Sequence, residues 1–157
     1  MKYRVETKFK KTEIGLISKD WEVKELDSLC NIVTGKTPPT QSKEYFGDFI
    51  PFITPRDMLG KKFIKNTERY LSNKGKILLK NIIIPKNSIC VSCIGSDMGK
   101  VGINKYESIT NQQINSIIPK YLDFNFFYYS IYIIKNKLKN LAGYSTAIPI
   151  LNNIKKI

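Results

Sequence analysis

Three consecutive amides, Asn111, Gln112 and Gln113, interrupt "ITNQQINSIIPKY", a run that otherwise has the apolar content of a buried strand. Asn and Gln are the side chains best shaped for a bidentate contact with the N6 and N7 edge of adenine. The same side chains also serve as scaffold, bonding backbone groups in neighbouring turns. Just upstream, "IGSDMGKVGI" spaces Gly95, Gly99, Lys100 and Gly102 in a way that suggests a phosphate cradle. A P-loop needs four residues between its glycines and Ser or Thr after the Lys. Here three intervene and Val101 follows Lys100, so the pattern fails as a nucleotide site. Two readings stay open: a tight turn in which Gly permits positive φ, or a turn whose backbone amides and Lys100 approach a DNA phosphate.

Catalytic sets are hard to find elsewhere. The chain contains no His, which removes His-based acid–base chemistry, a Ser-His-Asp triad and any His-ligated metal. Cys90 and Cys93 have CxxC spacing in "CVSC", but zinc takes four ligands and Cys30 is the one further Cys. In a strand, positions three apart also point to opposite faces, so buried thiols are the better reading and a redox pair the minor one. Asp57, Asp97 and Glu107 are dispersed, with no paired nuclease-like carboxylates, and no metal site is expected. These absences argue against an independent enzyme.

The formal charge of +13 points towards a polyanionic partner. Lysine supplies most of it in a chain rich in Ile and Asn, so composition alone says little. The distribution says more. Residues 1–35 carry seven basic and six acidic groups, residues 36–120 fourteen and six, and residues 121–157 five and one. The middle interleaves Lys36, Lys43, Arg56, Lys61, Lys62, Lys65 and Lys100 with Tyr45, Phe46 and Phe63, beside the polar loop residues Thr37, Gln41, Ser42, Thr54 and Ser96. That mixture suits phosphate positioning together with base-edge contacts. Any single Lys is more simply a solvated surface residue. Arg56 has the geometry for guanine, yet it is equally able to clamp Asp57 or Glu44.

The elements that must carry these residues follow from periodicity and punctuation. Residues 1–20 read as an arm, without the apolar segment of a secretory signal. "WEVKELDSLCNIVTGK" places Val23, Leu26, Leu29, Cys30 and Val33 at helical spacing, with Gly35 as a stop. Pro38 and Pro39 open a loop. "FIPFIT" is a strand whose Pro51 demands an edge or a bulge. "KKFIKNTERYL" is ambiguous between strand and loop. Ser72 caps a short helix over "NKGKILLK", and "IIIPKNSICVSCIG" reads as strand, turn, strand. "KVGIN" and "NQQINSIIP" are two more strands. Asp123 then caps a long helix with Phe124, Phe127, Tyr128, Ile131, Ile134, Leu138 and Leu141 on one stripe, and Lys135, Lys137 and Lys139 towards its polar side. "AGYSTAIP" breaks it, and "ILNNIKKI" looks like the start of another helix. Five or so strands flanked by helices make an α+β domain, with a small mixed or antiparallel twisted sheet. The apolar runs are too short or too polar to cross a bilayer, so the expected setting is cytoplasmic.

The order of these motifs resembles the specificity subunit of type I restriction–modification systems, and within it a single target recognition domain. The likeness is carried by Trp21, by Gly35-x-Thr37-Pro38, by Thr54 and Asp57 in "FIPFITPRDM", by "TERYLS", by Gly95 and Gly99, and by Asn111-Gln112, and it runs from about Thr12 to Asn153. The resemblance implies a non-catalytic chain in which each of two recognition domains reads one half of a split DNA site, separated by long spacer helices. It implies methyltransferase subunits that bind S-adenosylmethionine, and a separate motor subunit that uses ATP and Mg to drive restriction. On this basis residues 1–20 are an arm, 21–145 the recognition domain and 146–157 the truncated start of a spacer helix.

Members of that family read different sequences while sharing the Asn-Gln pair, so the resemblance assigns scaffold roles to Asn111 and Gln112, with Trp21, Gly35, Asp57, Gly95 and Gly99. Base readers are then sought in the less patterned loops at 36–43, 56–65 and 96–98. The competing expectation is a protein-interaction module, docking on a partner or self-associating through the long helix, with its basic surface merely solvated.

Overall fold

A computed structural model of the chain describes residues 8–12, 15–121 and 123–141. Three β-sheets and a long helix organise it. Strands β1 (Phe9–Thr12) and β2 (Gly15–Ser18) form a separate antiparallel hairpin. The segment expected as a plain arm therefore contains a two-stranded ribbon.

Helical spacing between Val23 and Val33 is realised only in α1 (Leu26–Leu29); Cys30–Thr34 is strand β3. The correction has a physical cause. Ile32, Val33 and Thr34 are β-branched, and β3 pairs antiparallel with β11 (Ile114–Pro119) from Thr34 opposite Asn115 to Cys30 opposite Pro119. A tertiary ladder overrides a local period.

Strand β4 (Phe46–Gly47) follows a single 3₁₀ turn, and β5 (Ile50–Ile53) follows it. β10 (Ile109–Thr110) pairs with β5 only at Phe52 and Ile53, so β5 is an edge on that side at Pro51, where the ring has no donor to offer. β6 (Phe63–Ile64) and β7 (Arg69–Leu71) are short pieces separated by loop, which resolves the ambiguous stretch into both. Helix α2 (Asn73–Leu78) is capped by Ser72, whose hydroxyl accepts from Gly75 N at 3.2 Å.

Of the two strands expected around Pro85, the first is absent. Lys80–Ile82 is a 3₁₀ turn, and Ile84 makes only an isolated bridge to Ser108. Three consecutive Ile fill a buried corner there rather than a ladder. Beyond the turn, with Asn87 at φ 67°, β8 (Ile89–Ser92), β9 (Val101–Asn104) and β11 follow the sequence pattern.

The sheets have the orders β10-β5-β7-β4 and β3-β11-β8-β9-β6. Every residue of β8 and β9 is buried, which means that both faces of the five-stranded sheet are covered. On one face, Ile89, Val91, Ile103 and Ile117 pack with Phe127, Tyr128 and Ile131 of helix α3 (Phe124–Leu141). Cys90, Ile64 and Ile114 meet Ile53, Met58 and Ile84 in a second cluster. A third cluster packs Ile50, Phe52, Leu71 and Ile109 with Leu79. Asp123 Oδ1 caps α3 by accepting from Asn125 N (2.7 Å) and Phe126 N (3.3 Å). The side chains of Ile134, Leu138 and Leu141, and the breaks and helix expected at 142–157, lie outside the described residues. The fold is α+β, with more and shorter strands than the sequence pattern suggested.

Candidate nucleic-acid interface

β3 and β8 both pair antiparallel with β11, so their C-terminal ends face the same way; β5 and β10 run parallel to each other. The loops leaving β3, β5 and β8 meet at residues 111–113, where β10 turns into β11. Lys36 N donates to Thr110 O (2.9 Å) and Gly35 N to Ile114 O (3.1 Å), fixing the first loop. Asn111 N donates to Ile53 O (3.0 Å), fixing the second, and Cys93 N to Gln113 O (2.8 Å), fixing the third. The amide triplet is the junction of three loops.

Each amide does something different there. Asn111 is 7% exposed. Its Oδ1 accepts from Gln113 N (3.1 Å) and its Nδ2 donates to Gln113 Oε1 (2.9 Å), closing a local turn. Gln112 is exposed, and its Oε1 accepts from Thr37 Oγ1 at 2.6 Å, tying the first loop to the junction at the surface. Gln113 carries more of the junction than its neighbours in sequence suggest. The sequence signal for it was available in the turn chemistry but masked by the more familiar Asn-Gln pair. Gly35 is buried against this junction. A Cβ there would overlap Asn111 O, Thr110 Oγ1 and Thr110 O, so only Gly permits the approach.

The second loop is braced by Asp57, which is 8% exposed. Its Oδ2 accepts from Thr54 N (2.7 Å) and Thr54 Oγ1 (2.9 Å), and its Oδ1 from Glu68 N (2.8 Å). Thr54 thus spends its hydroxyl inside the turn. Arg56 beside it is exposed, and no carboxylate among the described residues lies within ion-pairing distance of it. Neither clamp weighed for it forms: Asp57 bonds Thr54 and Glu68, while Glu44 pairs with Lys74 at 3.1 Å.

In the third loop, Gly95 (φ 81°) and Gly99 (φ 83°) make the left-handed turns, and the Ser92 hydroxyl donates to Asp97 O and accepts from Lys100 N. Lys100 Nζ is held between Asp97 Oδ1 (2.8 Å) and Pro55 O (3.1 Å), so it staples the second and third loops together. Ser96 is exposed at the tip.

The remaining candidate residues divide. Lys36 is exposed at the junction, and Gln41 and Lys43 on the long loop beyond it. Lys61 is exposed ahead of β6. Lys62 instead lies over α3, 4.5 Å from the Tyr129 ring centre and donating to its hydroxyl at 3.3 Å. Lys65 leaves β6 at the far end, where the strand partners Asn104. Trp21 is half exposed, with its ring edge-on to Phe126 of α3 at 5.8 Å. The structure therefore groups Lys36, Thr37, Arg56, Ser96 and Lys100 at one end and separates Lys62 and Lys65 from them.

Cys90 and Cys93 belong to cores on opposite faces of their sheet. Burial pushes the Cys90 thiol up to about 12 and that of Cys30 to about 11. Among the described residues, no cluster of His, Cys, Asp or Glu could hold a metal, and no helix is long and apolar enough to cross a membrane.

An α+β scaffold with three core clusters that gathers three loops at one end defines a loop-presenting domain. Residues 18–157 match the family model described as the type I restriction modification DNA specificity domain, and the chain belongs to that family. It is 38% identical over 153 residues to the type I restriction enzyme MjaIX specificity subunit of Methanocaldococcus jannaschii, covering 93% of this chain and 35% of that protein. Over 103 residues it is 46% identical to the HindI specificity subunit of Haemophilus influenzae, covering 66% of this chain and 22% of that one. The chain thus spans about a third or less of the length of these two relatives. In fold it is similar to the crystal structure of the HsdS subunit from Thermoanaerobacter tengcongensis, with a TM-score of 0.66 at 14% identity, covering 84% of this chain and 32% of that one.

Proposed function

We propose that this chain is a non-catalytic recognition domain that binds double-stranded DNA and reads one half of a split site for a type I restriction–modification complex. The observation that carries this is the convergence of three loops on residues 111–113, with Lys36 and Arg56, which have no ion-pair partner among the described residues, exposed beside them. Exposed cations supply phosphate attraction, and the polar loop side chains supply base-edge contacts. Thr37, Gln41 and Ser96 are the uncharged members of that surface, Lys43 and Lys61 its flanking cations. Asn111, Gln113, Asp57, Gly35, Gly95 and Gly99 position the loops. The partners of this reading are methyltransferase subunits holding S-adenosylmethionine and a motor subunit using ATP and Mg, in the cytoplasm.

A second reading rests on a different surface. Trp21, Phe126, Tyr129, Tyr132 and Ile133 are exposed along α3 and beside it, a face suited to a protein neighbour or a second copy of the chain. The two readings are compatible, since the surfaces do not overlap.

Fluorescence anisotropy with mixed-sequence duplexes at several salt concentrations tests the main reading. Binding that weakens log-linearly with salt is expected. Absence of binding at the lowest ionic strength removes it.

A further inference from the structure

Arg69 belongs to "TERYLS" and lies outside the loops 36–43, 56–65 and 96–98 in which base readers were sought, yet the structure prepares it for contact. It is exposed at the start of β7, directly opposite Phe52 of β5. Its guanidinium carbon sits 5.2 Å from the Phe52 ring centre and 5.5 Å from that of Phe46. No carboxylate among the described residues pairs with it. Two aromatic rings thus restrict the side chain while its donors meet no acceptor among the described residues, which lowers the entropy cost of using them.

The surroundings form a groove of about 410 Å³, lined by Thr40, Lys43, Phe46, Glu68, Arg69 and Tyr70 among others. It adjoins the proposed DNA-binding end through one stretch of chain and one hydrogen bond. Thr40 and Lys43 belong to the loop that starts at Gly35, and Glu68 N is bonded to Asp57, next to Arg56.

We infer that Arg69 is a specificity-determining residue that reads guanine. This rests on the proposed DNA-binding function. A planar fork of donors matches the O6 and N7 acceptors that guanine presents in the major groove. The carboxylate of Glu68, which lines the groove together with Lys43, favours a base edge over a phosphate. It repels a phosphate, whereas it accepts from the N4 amine of the cytosine paired with that guanine. The groove therefore offers complementary groups to both members of one G·C pair.

The test uses the 157-residue chain and a pool of randomised duplexes, with selection by the wild type, R69M and R69Q at one salt concentration. R69M keeps an unbranched stem against the phenylalanines, and thermal melting establishes that each variant is folded. The wild type is expected to enrich a motif containing a G·C position. In R69M that position becomes degenerate, the other positions persist, and affinity for the wild-type motif falls about 5- to 150-fold with an unchanged salt slope. R69Q follows the same pattern or shifts the position towards A·T, and it decides the matter if R69M does not fold. A uniform loss across sequences with a salt slope reduced by about one overturns the inference in favour of a phosphate contact. An unchanged motif and affinity overturns it in favour of a purely structural Arg69. Failure of the wild type to bind any duplex removes the DNA-binding function itself, a result distinct from both.

Discussion

Replacing Asp57 with Ala probes the brace that sets the Arg56 turn against the start of β7. The substitution removes an acceptor for three hydrogen bonds, from Thr54 N, Thr54 Oγ1 and Glu68 N. Thr54 is partly buried, so its N–H is the donor least able to find water; a hydrogen bond to a charged acceptor is worth about 1.5–3 kcal/mol. Glu68 is exposed and the Thr54 hydroxyl can rotate, so each of those bonds contributes only about 0.5–1 kcal/mol net. The expected destabilisation is about 2.5–5 kcal/mol, at the high end for a single substitution. In a chain of this size each kcal/mol moves Tm by about 2–4 °C, so Tm should fall by about 5–20 °C. Urea denaturation gives the free energy and circular dichroism the melting curve. D57N keeps the shape and one acceptor oxygen and should lose about half as much. A D57A cost below about 1 kcal/mol would refute the idea that this carboxylate holds the turn.

Three further outcomes follow from the same geometry. Gly35→Ala should cost about 3 kcal/mol or more, because the Cβ meets two backbone carbonyl oxygens that cannot swing aside, and urea titration checks it. Lys61→Glu should weaken duplex binding with little change in Tm, whereas Lys62→Glu should lower Tm by breaking the contact with Tyr129, as anisotropy and melting on the same samples will show. Cys90 and Cys30 have folded-state values raised by burial above 9.0, so the unfolded chain ionises first. Stability should hold up to about pH 9 and decline as pH rises towards 11–12, and both thiols should resist alkylation at pH 7 while the chain is folded.

The sequence displayed the parts that local chemistry decides. Ser72 and Asp123 announced their helices through capping, and Phe127, Tyr128 and Ile131 announced the buried stripe of α3 through spacing. β8, β9 and β11 were visible because strands covered on both faces read as continuous apolar runs. What local chemistry does not decide was misread. Cys30 and Val33 fit a helical period, and only pairing with β11 makes them part of a strand. The Ile run at 82–84 carries strand composition without a ladder partner beyond Ser108. At the candidate site, single residues were legible and their grouping was not. Lys62 and Lys65 are close in sequence to Arg56, yet one rests on α3 and the other leaves the far end of β6. Arg69 was visible only as a member of "TERYLS"; its aromatic brackets come from Phe46 and Phe52, which strand pairing alone brings near.

Hydrogen exchange of backbone amides, measured on the chain with and without a saturating duplex at low salt, bears most directly on where DNA is held. Protection should rise in the loops at 35–43, 54–57 and 94–100, and around Arg69, while the β1–β2 hairpin and the outer face of α3 stay unchanged. Protection confined to α3 and the hairpin, with those loops unaffected, would contradict the placement of the DNA-binding surface at the junction of residues 111–113.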